Sequence, residues 1–120
     1  MALDIDSIRL AKQAAQQTVD ALEETISQTP AAMDRIPLRD ELVDATSTVQ
    51  DLDELEIRLQ NGESAIPHLS QAQVDELQDL SGKLDQAIVS AQLRNLTLNT
   101  VATVMESAVR VQDIVKGNIA

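Results

Sequence analysis

The sequence has no phenylalanine, tyrosine, tryptophan or cysteine among its 120 residues, and only three glycines, three prolines and one histidine. Each shortage excludes something. Without thiols there are no disulfides, no thiolate nucleophile and no zinc site of the cysteine type. Without aromatic rings there is no flat platform on which nucleobases stack. Gly62, Gly82 and Gly117 are too few and too scattered for a phosphate-cradling loop or a dinucleotide fingerprint. Positive charge is also scarce: nine basic residues face twenty acidic ones, a net charge of -11. Such a chain repels phosphate backbones and anionic lipid, so neither nucleic acid nor membrane is an expected partner. The start, Met1-Ala2-Leu3-Asp4-Ile5-Asp6, lacks the basic and apolar stretches of a secretory signal, and no run is long enough to span a bilayer. A cytoplasmic location is the expectation.

What is present is aliphatic. Ala, Val, Ile, Leu and Met make up 43% of the residues, enough for the core of one domain spanning 1–120. Proline and glycine interrupt the chain around Pro30 to Pro37 and around Asn61-Gly62 to Pro67, which predicts three helical segments of about 5–28, 38–60 and 70–116. In the first, Ile5, Ile8, Ala15, Val19, Leu22 and Ile26 share one face, interrupted by Lys12. In the second, Leu38, Leu42, Ala45, Val49, Leu52 and Leu59 do the same, with Pro37 suited to the first turn and Asn61-Gly62 to the stop. Ser70 and Gln73 have the spacing of a capping box at the head of the third.

The third segment is the unusual one. Leu77, Leu84, Ile88, Ala91, Leu98, Ala102, Met105 and Val109 keep one register over a length of roughly 70 Å, twice that of either earlier helix. Two all-α architectures accommodate it: a helical hairpin plus one long C-terminal helix, or an up-down four-helix bundle if that helix folds back between Asn95 and Asn99. The straight helix is preferred, because Asn95 sits at a seam position where a polar residue sets register. Gly82 beside Ser81 is a candidate bend.

A second apolar stripe, Val89, Leu93, Leu96, Val104, Val111 and Val115, is offset from that seam. A helix packing on one neighbour needs a single stripe, so the surplus predicts burial in a bundle centre or against another molecule. Charge divides the same way, since residues 89–120 carry a net of +1 and leave -12 on the rest. These six residues are the expected partner or dimer interface.

Catalytic and metal chemistry finds no candidate. His68, beside Pro67, reads as a turn histidine, and no base or orienting acid can be assigned to any serine. Paired-metal bundles need Glu-x-x-His repeated on two helices, and neither copy exists. Asp51, Asp53, Glu54 and Glu56 lack the glycine and terminal glutamate of a calcium loop and read as a charged helix face. No cofactor, metal or catalytic residue is assigned. The expected function is a non-enzymatic protein-protein interaction module that holds another protein through an amphipathic helix, with self-association as a coiled-coil or bundle oligomer as the alternative. In composition the chain resembles the small acidic helical chaperones of bacterial flagellar and type III export systems. That resemblance implies a chaperone-like binder whose clients present amphipathic helices.

Overall fold

In the computed structural model, which describes residues 3–89 and 98–119, the chain forms four α-helices and one 3-10 turn, with no strand among the described residues. The helices are α1 (Leu3–Gln28), α2 (Ala32–Gln60), α3 (Gln71–Val89) and α4 (Leu98–Asn118), and the 3-10 turn is Ile66–His68. The all-α class read from the periodicity holds.

Local chemistry sets most boundaries. α2 begins at Ala32, six residues before the sequence places it, and takes Pro37 inside the helix. Pro37 is tolerated there because little more than one turn precedes it, so only an early backbone bond is lost. At the other end Asn61 N–H donates to the Ile57 carbonyl (3.0 Å) and Gly62 N–H to that of Leu59 (3.2 Å), with Gly62 at φ +103°. A side chain disfavours that φ, which is why glycine ends the helix. Before α3 the capping box forms in both directions: Gln73 N–H donates to Ser70 Oγ (3.2 Å), and Ser70 N–H to Gln73 Oε1 (3.0 Å).

The preferred long C-terminal helix is not found. The Arg110 guanidinium on α4 grips the Glu76 carboxylate on α3 at 2.7 and 2.9 Å. In one straight helix residues 34 positions apart would be separated by roughly 50 Å. The four-helix alternative therefore replaces it, with α3 and α4 packed on each other. The driving force is burial, since a straight helix would leave half its apolar surface in water. The turn expected between Asn95 and Asn99 falls mostly outside the described residues, and Leu98 and Asn99 already belong to α4. α3 runs through Gly82 as a single helix.

α1 and α4 form the centre of the bundle, each packing on the other three helices, while α2 and α3 flank them. α1 and α2 are an antiparallel hairpin, and the molecule measures 50 × 23 × 18 Å. A helix touching three neighbours must be apolar and narrow over a wide arc. α1 achieves this with Ser7, Ala11, Ala14, Ala15 and Thr18, all fully buried beside Ile8 and Leu22. The Thr18 hydroxyl donates to the Ala14 carbonyl (2.9 Å), and Ser7 Oγ meets Ser81 Oγ of α3 at 3.0 Å, so the buried hydroxyls have partners.

Candidate functional site: the groove between α2 and α4

The second stripe of the C-terminal segment lies inside the bundle. Val104, Val111 and Val115 are 4%, 0% and 0% exposed and belong to the chain's own core. Of the six residues expected at an interface, these three are covered by the neighbouring helices, because folding back places that face of α4 at the bundle centre. Val89 is 75% exposed at the end of α3. Leu93 and Leu96 lie outside the described residues.

The apolar surplus of α4 survives on its other stripe. Ala102, Met105 and Val109 follow one another at spacings of three and four, which keeps them on one face of the helix. They line a groove between α4 and α2 with a volume of about 660 Å³, open to solvent along its length. Met105 lies at its base, nearly buried, while Ala102 and Val109 are exposed. The opposite wall is α2, through Glu41, Asp44, Ser47 and Thr48. Where α2 and α4 come together beyond the groove, Gln112 Nε2 donates to Asp51 Oδ2 at 3.4 Å.

The rims are acidic. Glu41 and Asp44 stand on α2, and Glu106 and Asp113 on α4. The one cation of the lining, Arg110, is turned onto Glu76 of α3. That hydrogen-bonded pair holds the Arg110 pKa above its ordinary value and the Glu76 pKa below. No three carboxylates or histidines converge on a point that would hold a metal ion among the described residues. The groove offers an apolar floor with negative charge spread along both rims.

A second, smaller cavity of about 330 Å³ beside α1 is lined by Arg9, Lys12, three glutamines and Glu56. Its charges are consumed internally: Lys12 Nζ donates to Asp53 (2.7 Å) and Glu56 (2.8 Å), and Arg9 Nε to Glu56 (2.8 Å). Hydrogen bonding to Lys12 first and to Arg9 second holds the Glu56 carboxyl below its usual range, and Asp53 and Glu56 in turn raise the Lys12 pKa. Two of the four clustered acids of α2 thus tie the hairpin together. Lys12, which interrupts the α1 stripe, is the other half of that tie. His68 is exposed in its 3-10 turn, as the residues around it suggest.

Sequence reasoning missed the α2 wall altogether. Periodicity puts Glu41 and Thr48 at the edge of the α2 apolar stripe, in line with Leu59, and no local signal says that this edge stands beside an apolar strip of α4. No family model matches the chain, and no curated protein or solved structure is significantly similar to it, so the groove is characterised by its own geometry.

Proposed function

We propose that the chain is a non-enzymatic protein-interaction module that seats a helix of another protein in the groove between α2 and α4. The observation that carries this is Val109, a valine 38% exposed and in line with Ala102 above the nearly buried Met105, on a helix whose adjoining face already fills the core. A helix that has covered its own core has no folding reason to keep a second apolar face. The groove spans residues 102–113 of α4, about 16 Å or three helical turns. That length suits the spacing of anchor side chains at i, i+3 or i+4, and i+7 in helix-in-groove recognition. Met105 adds a flexible, polarisable floor that adapts to different aliphatic side chains. The cytoplasm is the compartment proposed with this reading; none of the described helices is long and apolar enough to cross a membrane.

The test replaces Ala102 and Val109 together by glutamate. Both are exposed, so helix content by circular dichroism is expected to be unchanged. The wild type is expected to retain a specific protein from its native cells that the double variant loses, with light scattering giving the monomer mass for both. Retention of the same protein by a folded double variant overturns the proposal. A wild-type mass of twice 13.0 kDa that halves in the variant replaces it by self-association.

A further inference from the structure

We propose that the occupant of the α2–α4 groove is an amphipathic helix of about three turns whose apolar face is flanked by lysine or arginine. This rests on the interaction-module reading and adds the chemistry of the partner. The apolar floor made by Ala102, Met105 and Val109 selects an apolar face. The rims select its edges, since Glu41 and Asp44 on one side and Glu106 and Asp113 on the other present four carboxylates. The only opposing charge in the lining, Arg110, is engaged away from the groove by Glu76.

The arrangement of those acids separates a helix from other occupants. Glu106 and Asp113 are seven residues apart on α4, about 10 Å along its axis. Carboxylates so spaced answer separate side-chain cations and do not close on one ion, in keeping with the absence of any convergent metal-holding group among the described residues. A small molecule would need an enclosed pocket with converging polar groups, and this groove is open along its length. A second copy of the chain is disfavoured by charge, because it brings a further net -11 toward rims that are already negative. Complementary charge across such a rim sets which partner docks and how fast, while the floor supplies the holding energy.

The experiment uses the full chain and two synthetic helical peptides of three to four turns. They share a leucine face and differ only in carrying lysine or glutamate along its edges. Binding is followed by fluorescence anisotropy and by amide shifts in α4. The lysine-edged peptide is expected to perturb residues 102–113 and to bind at least about tenfold more tightly than the glutamate-edged one. Its affinity is expected to fall several-fold between about 0.05 and 0.5 M salt, where screening becomes short-ranged. Glu41→Lys combined with Asp44→Lys is expected to lower it by about tenfold. Glu23→Lys combined with Glu24→Lys makes the same change of net charge on an exposed part of α1 and is expected to alter affinity less than about twofold. If both peptides bind the groove equally, the cationic-edge inference is overturned while the interaction module stands. An equal loss in the two charge-reversed proteins overturns it as well, because net charge alone would then explain binding. If neither peptide binds the folded protein, the inference and the groove reading are overturned together.

Discussion

Asp4 is the residue on which the junction of α1 with the α2–α3 connection depends. Its carboxylate is buried and accepts from Ala65 N–H (2.9 Å) and Ser64 Oγ (3.2 Å), while its other oxygen accepts from Ile5 N–H (2.8 Å). Ala65 is fully buried, so removing the acceptor leaves its N–H without a partner. Asp4→Ala is expected to cost about 2 kcal/mol in denaturant unfolding. A cost under about 0.5 kcal/mol would mean that water substitutes for the carboxylate. Glu56 makes a second prediction, in pH. Its folded pKa is depressed by Lys12 and Arg9, so its contribution is complete above the unfolded value near 4.5 and is lost as pH falls through the lower folded value. Because Arg9 is half-exposed, the pairs are screened and the contribution at neutral pH is about 1 kcal/mol. Glu56→Gln is expected to lower stability by that amount at neutral pH and to match the wild type once Glu56 itself is protonated. A difference between the two proteins that persists at acid pH contradicts the assignment.

At the scale of the element, boundaries made by local capping chemistry were the most legible feature and the start of α2 the least. Asn61-Gly62 and the Ser70–Gln73 box act through their own backbone and side-chain chemistry within a few residues, so a local reading finds them. Gly62 has open space where a Cβ would sit, and only its positive φ opposes substitution. Gly62→Ala should therefore cost about 1 kcal/mol, all of it conformational, as thermal or urea unfolding would show. A larger loss would reveal a contact that the open space does not contain. The start of α2 precedes the proline that marks a boundary in the sequence, because Ala32 and Met33 are good helix formers ahead of it. In α1 the stripe Ile8, Ala15, Val19 and Leu22 was legible by periodicity. The row Ser7, Ala11, Ala14 and Thr18 was not, although its spacings of four, three and four are equally regular. Small and hydroxylated residues carry little hydropathy signal, yet they are what lets three helices approach α1.

For the molecule as a whole, the decisive event is the return of the chain between α3 and α4. It exchanges inside and outside along the C-terminal segment: Val104, Val111 and Val115 enter the core, and Ala102 and Val109 are left at the groove. Two substitutions by the same residue test this exchange. Val111→Glu buries a carboxylate without a partner and is expected to unfold the protein or cost several kcal/mol. Val109→Glu, on an exposed site, is expected to stay within about 0.5 kcal/mol of wild type. Equal effects by circular dichroism and urea titration would contradict the placement of the two stripes.

Composition and period alone determined that the chain is helical and acidic, that its core is aliphatic, and that its last third has more apolar surface than one packing face requires. Those properties are additive along the chain or repeat within a turn or two, so no knowledge of distant residues is needed. Which stripe faces inward, and that α2 contributes an acidic wall opposite α4, was decided only by the tertiary structure. Stripes of similar hydropathy on one helix are equivalent until neighbours cover one of them. Residues 61 apart, such as Asp51 and Gln112, meet only when the whole bundle closes.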